Sequence, residues 1–451
     1  MDKETKNHSK SAKSLSLPIV NVDAAGIDVS ATMHAVAVPA DRDRVSVREF
    51  GAFTEDLHAI ANWLVHCRIR TVAMESTGVY WKQLFMVLSQ YGFKVSLVNA
   101  RQIKNVSGRK TDTSDAQWIQ KLHSCGLLSS SFLPDDATES LRALVRHRKS
   151  LLKDSSTYVL RMQKALELMN IKIHLVISDI MGKSGKSIIE AIVGGQRDPE
   201  SFLPYVDPRI KADKETILKS LRGNWRQEQL FLLAQNYSLY QLIEQHIAVC
   251  ENKIESLLQL QVAALNDEGL MQKGAGGKKK KKAKNEPCFD AKGYLYKIHQ
   301  VDVTAIFGIS NATALDILAE TGTDLSKWET PCHFVSWLNL CPNNKITGGK
   351  LISSMVMKKK AGNATLAFRA AANTVQKSDH WLGDYFRRMK AKGGNKYAIV
   401  ATARKLAIIY YKMVRYKQDF TPLNTDEYRE KYKSAKIAYL EKQLNKLKKS
   451  A

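Results

Sequence analysis

Three strand-like runs of apolar and small residues follow one another near the start of the chain, AAGIDVS (24–30), MHAVAVP (33–39) and VSVREF (45–50). The pattern then changes period. EDLHAIANWLVHC (55–67) repeats its apolar positions every three or four residues and predicts a helix, RTVAME (70–75) a strand, and GVYWKQLFMVLSQY (78–91) a helix closed by Gly92. Strand FKVSLVNA and a helix opening in KTDTSDAQWI complete the region. Three successive strands followed by alternating helices and strands predict a mixed α/β sheet over residues 21–130.

Beyond 130 the period stays helical. LRALVRHRKSLLKDSSTYVLRMQKALELM sets Leu141, Leu144, Val145 and Leu152 on one stripe with Arg and Lys opposite. Tyr240, Ile243, Ile247, Cys250, Ile254 and Leu257 alternate by three and four residues, the spacing of a coiled-coil seam. At about two heptads, the seam suits packing within one chain as well as a dimer zipper. The middle region, 131–295, is interrupted by QKGAGGKKKKKAKNEP (272–287), where seven lysines beside three glycines build no core. Residues 296–420 read as a second helical domain. Within it GISNATALDILAETG suits either an ordinary helical hairpin or a helix-hairpin-helix that docks backbone amides on phosphate. CPNNKITGGKLISS reads as a polar, glycine-containing loop, and KYAIVATARKLAIIYYKMV as a core helix. The tail, 421–451, is a basic amphipathic helix with Ile437, Leu440, Leu444 and Leu447 on one stripe. Residues 1–20, polar and rich in Ser and Lys, read as disordered. The fold class is therefore α/β plus all-α.

Charge narrows the partners. The chain of 451 residues carries 69 Lys+Arg against 44 Asp+Glu, a formal net charge of +25 that suits a polyanion. A membrane surface is the competing anion, but no run of 18 apolar residues exists and MDKETKNHSKSAKS lacks a signal-peptide core. The six cysteines show no CxxC pair and no His partner at zinc spacing, so reduced, mostly buried thiols of a cytoplasmic protein are expected.

Four carboxylates stand where a phosphoryl-transfer site would put them. Asp28 lies in the first strand, Glu75 ends the fourth, and Asp112 and Asp115, three residues apart, share a face of the helix they open. Each alone reads better as local structure, Asp112 as an N-cap and Asp115 as its first-turn partner. Together they form an oxygen-rich set for Mg2+ (or Mn2+), whose preferred partners are carboxylates, substrate phosphates and water.

GIDVS, MESTGVYW and GRKTDTSDAQWI, followed by GISNATALDILAETG, WLNLCPNNKITGGKL and KKAGNATLAFRAA, resemble in content and order the DEDD transposases of bacterial insertion sequences, relatives of the pilin-gene-inverting recombinases. The resemblance implies an RNase H-like first domain of the Holliday-junction-resolvase type with a DEDD metal site at Asp28, Glu75, Asp112 and Asp115. It also implies a C-terminal domain whose hydroxyl attacks DNA, a structured guide RNA bridging donor and target DNA, and a homo-oligomer, dimer or tetramer, built through the coiled-coil-like region. Where the family's motif carries its serine, this chain has Thr347, in Ile346-Thr347-Gly348-Gly349. Threonine keeps the hydroxyl, and its β-methyl restricts χ1. Lys278, Lys279, Lys280, Lys281, Lys282, Lys350, Lys360 and Arg369 are the expected contacts to nucleic acid. A metal-dependent junction-resolving nuclease and a non-catalytic nucleic-acid-binding protein are the rival functions.

Overall fold

The computed structural model describes residues 18–99, 103, 115–265, 285–356 and 361–450, without the side chains of 446, 447, 449 and 450. Most of the expected disordered tail and of the lysine-rich insert thus lies outside the described residues. The chain divides into two units, Met1–Leu133 and Pro134–Ala451.

The first unit is built on a five-stranded sheet: β1 (Ala24–Val29), β2 (Met33–Ala37), β3 (Val47–Gly51), β4 (Thr71–Glu75) and β5 (Lys94–Val98). The order is β3-β2-β1-β4-β5. β1 pairs antiparallel with β2 and β2 with β3, whereas β1–β4 and β4–β5 are parallel. Helices α1 (Thr54–His66) and α2 (Trp81–Gln90) lie against one face, where Ile27, Val36, Ile60, Leu64, Met74 and Leu84 are fully buried. Gly92 follows α2 at φ +85°, the left-handed position that closes the helix. Helix α3 (Asp115–Ser124) covers the other face through Trp118, Ile119 and Leu122 against Ala73 and Val98. The mixed sheet expected from the periodicity is therefore present, with the third strand two residues later than the run predicted.

In the second unit, the long helices α4 (Asp136–Leu168) and α7 (Gln227–Ala263) run antiparallel, Arg148 meeting Glu251 and Ser155 meeting Glu244. Between them in sequence, α5 (Lys183–Val193) and α6 (Lys214–Ser220) fold over a local core of Met162, Ile188, Phe202 and Leu233. Ile247, Cys250 and Ile254 of the predicted seam are buried, and Cys250 Sγ lies 3.5 Å from the Leu144 carbonyl oxygen of α4. The seam is thus used within the chain. Arg148, expected on the polar side of α4, is buried instead. Its Nε donates to Glu251 Oε1 (2.6 Å) and its Nη2 to the Asn285 carbonyl (2.8 Å), while Glu251 Oε2 accepts from the Cys288 amide (2.7 Å). This buried pair pins the chain where it resumes after the lysine-rich run.

The remaining helices are α8 (Ala291–His299), α9 (Asn311–Thr321), α10 (Pro331–Trp337), α11 (Asn363–Thr374), α12 (Trp381–Tyr416), broken at Gly393–Gly394, and α13 (Thr425–Ser450). Phe334, Phe368, Tyr410 and Tyr411 form their aromatic core. KYAIVATARKLAIIYYKMV is core, as its apolar pattern predicts. CPNNKITGGKLISS is not a loop: Asn343–Thr347 (β6) and Lys350–Met355 (β7) pair as an antiparallel hairpin. The thiols are also more exposed than expected. All six are free, but only Cys67 and Cys250 are buried, and Cys288 and Cys332 are exposed.

Candidate active site and nucleic-acid interface

Alternation along β1 and β4 decides where the acidic residues point. Ala25, Ile27 and Val29 enter the α1–α2 core, so Gly26 and Asp28 face α3. Val72 and Met74 enter the same core and Ala73 packs on α3, so Glu75 also faces α3. Ile27 stands opposite Met74 in the parallel pair, which makes Asp28 and Glu75 the next positions along adjacent strands. The helix runs the opposite way: Gln120 Nε2 donates to the Ala24 carbonyl (3.3 Å), and Thr71 Oγ1 lies 2.9 Å from His123 Nε2. Its first residue, Asp115, is therefore at the end of the sheet where Asp28 and Glu75 stand. Three carboxylate positions from three elements thus lie toward one end of one sheet face.

Gly26 is what lets the helix come so close. A Cβ there would collide with the Gln120 amide nitrogen and stand 2.5 Å from the Ala116 carbonyl oxygen. Glu75 is oriented by Thr77, whose Oγ1 donates to its Oε1 (3.2 Å), a partner that the sequence reading missed. On the opposite sheet face His34 is buried, its Nδ1 without a hydrogen-bond partner. Burial lowers its pKa, against the charges of Asp56 and Asp28, which raise it. The donor chemistry at the pole, carboxylate oxygen only, fits a hard divalent cation. Among the described residues no three His, Cys, Asp or Glu side chains gather tightly enough to hold a metal ion. Asp112, the fourth member of the set, lies outside the described residues, as do Lys278, Lys279, Lys280, Lys281, Lys282 and Lys360.

Thr347 belongs to the second unit. It ends β6 beside a two-residue turn, Gly348 (φ +54°) and Gly349 (φ +75°), and faces Lys350 across it. Positive φ at both central positions is the type I′ geometry that suits hairpin twist, and glycine adopts it without strain. Thr347 and Lys350 are exposed. Arg369 is elsewhere, half-buried on α11 with its Nε buried and lacking a hydrogen-bond partner.

Comparison with known families decides the identity. Residues 25–171 match the DEDD transposase model of the IS110 type, and residues 302–387 match the model of the transposase IS116/IS110/IS902 family. The chain is a DEDD-type transposase of the IS110 family. No curated protein matches it. The first match spans Asp28, Glu75, Asp112 and Asp115, and the second spans the hairpin with Thr347 and Lys350. The transposase has no described helix long and apolar enough to cross a membrane. A transposase of this family acts on DNA.

Proposed function

We propose that this transposase cuts and rejoins DNA by phosphoryl transfer, with Asp28, Glu75, Asp112 and Asp115 holding Mg2+ (or Mn2+) and Thr347 supplying the attacking hydroxyl. The observation that carries the reading is the delivery of Asp28, Glu75 and Asp115 to one pole of the sheet by β1, β4 and α3. Antiparallel pairing of the first three strands, followed by parallel β4 and β5, supports an RNase H-like assignment for this unit. A divalent cation bound by these carboxylates would supply charge stabilisation at the scissile phosphorus. The chain's own residues do the rest. Thr77 orients Glu75, Gly26 admits α3, and the Thr347 Oγ forms a bond to phosphorus while a deoxyribose hydroxyl leaves. That hydroxyl, or its counterpart on another strand, later attacks the Thr347 phosphoester and releases the threonine. Bond energy is conserved in the protein–DNA link, so rejoining needs no ATP.

The net charge of +25 supports binding of donor and target DNA and of a structured guide RNA through phosphates, with base pairing choosing the sequence. The resemblance to other insertion-sequence transposases supports a homo-oligomer acting in the bacterial cytoplasm. Asp28→Asn removes one charge at nearly constant volume. It should abolish strand cleavage while leaving DNA binding within about twofold, read by denaturing gels beside a filter-binding titration. Wild-type cleavage by this variant, or full activity in EDTA, would refute the metal assignment.

A further inference from the structure

The β6–β7 hairpin is exposed along nearly its whole length and packs on no other described helix or strand beyond isolated contacts. A lone two-stranded hairpin is marginally stable in water, so one held out from a folded unit calls for a partner. Its register sorts the side chains. Directly paired residues share a face, and positions two apart along a strand share it too. Thr347 is opposite Lys350, Lys345 opposite Ser353, and Asn343 opposite Met355, all on one face. Ile346 is opposite Leu351 and Asn344 opposite Ser354 on the other, where Ser354 Oγ donates to Asn344 Oδ1 (2.7 Å). Ile352 is the extra residue that the bulge absorbs, and without it Lys350 and Ser353 would not share a face.

The Thr347 hydroxyl therefore sits between two lysines. Cross-strand Cβ atoms are about 5 Å apart, and positions two apart on a strand about 7 Å, so both ammonium groups reach one phosphate placed on Thr347. Neither lysine has an ion-pair partner among the described residues. From Thr330 to Ser378 the chain has no Asp or Glu and seven Lys or Arg, so no nearby carboxylate in the sequence competes. Charge complementarity commits the occupant to a nucleic-acid phosphodiester.

We propose that the Lys345–Thr347–Lys350 face of the hairpin grips the DNA phosphodiester, Lys345 and Lys350 fixing the phosphate beside the Thr347 hydroxyl with Ser353 at its edge. This rests on the reading of Thr347 as the nucleophile, but its test does not. Binding of a DNA duplex would be measured against salt for the full chain, for Lys345→Gln/Lys350→Gln, for Lys345→Arg/Lys350→Arg, and for Lys219→Gln as a control on a lysine paired with Glu215. Each set would be repeated with Thr347→Ala. Each lysine that neutralises a duplex phosphate contributes about −0.9 to the slope of log affinity against log salt. The glutamine pair should therefore flatten the slope by about 1 to 2, the arginine pair should restore it, and the control should leave it unchanged, in both Thr347 backgrounds. An unchanged slope in the glutamine pair overturns the grip, whatever becomes of the nucleophile. So does a change of oligomeric state with the slope intact, which would make the hairpin a protein-docking element. A flattened slope alongside protein–DNA adduct formation by Thr347→Ala would sustain the grip and refute the nucleophile.

Discussion

His299 is fully buried, its Nε2 3.2 Å from the Tyr410 hydroxyl and its carbonyl accepting from Lys417 Nζ (2.9 Å). Burial, with the Lys417 charge second, pushes its pKa down to about 3, from an ordinary value of 6.5. Above pH 6.5 neither the folded nor the unfolded chain holds this proton. Below it the unfolded chain takes the proton first, so stability falls as pH drops from 6.5 toward 3, by up to about 1.4 kcal/mol per pH unit. Urea midpoints at pH 7 and pH 5 should draw apart in the wild type and lie closer together in His299→Gln, where His34, His123 and His380, also lowered by burial, keep part of the gap; an unchanged gap in the variant would assign the acid sensitivity elsewhere. Nothing in the sequence around His299 announced this burial, because its neighbours Tyr410 and Lys417 are over a hundred residues away. Asp28 and Glu75 were legible as strand-borne carboxylates, but their common face depends on the β1–β4 register, which is non-local.

Gly26 shows how an element can be set by one side chain that is absent. With a methyl at 26, α3 must move off β1 or the strand must bend, and Asp115 moves with it. Overpacking of this kind costs about 1–3 kcal/mol, and here it falls on the backbone of the helix that carries a proposed ligand. Gly26→Ala should lower the free energy of unfolding by that amount and reduce cleavage more than it reduces DNA binding. Unchanged stability would mean that the helix sits less tightly than the strand–helix contact implies. Among elements, β1, β2 and β4 follow their apolar runs closely. The hairpin was hidden for two physical reasons. Its side chains are exposed on both faces, so no apolar alternation marks an inside, and the bulge at Ile352 breaks the period of two. The Gly348-Gly349 pair between short runs was the available signal, since it favours a type I′ turn. It would also have singled out Lys345, which the sequence reading passed over.

Over the whole molecule the excess of positive charge is a property of the sequence and needs no fold. Deleting residues 274–284 removes six lysines, Lys278 to Lys282 and Lys284. If they contact phosphate, the log–log salt slope should flatten by up to about 5, less where some remain solvated; an unchanged slope would make the insert a spacer. The seam in α7 was legible as a stripe and ambiguous in its partner, because three-and-four spacing does not say which helix it meets. Antiparallel pairing with α4 of the same chain accounts for Ile247, Cys250 and Ile254, and the burial of Arg148 depends on Glu251 arriving from a distance of about a hundred residues.

Whether a threonine hydroxyl does the attacking is decided by trapping the protein–DNA adduct. Labelled DNA incubated with wild type, Thr347→Ala and Thr347→Ser in Mg2+ and run on denaturing gels reports the covalent link itself. Wild type should form an adduct, Thr347→Ala none above background, and Thr347→Ser as much or more, since serine keeps the hydroxyl and loses the crowding methyl. Adduct formed by Thr347→Ala would move the role to another hydroxyl, Ser353 or Ser354 first. DNA cleaved by wild type with no adduct at all would make water the nucleophile and contradict a threonine attack.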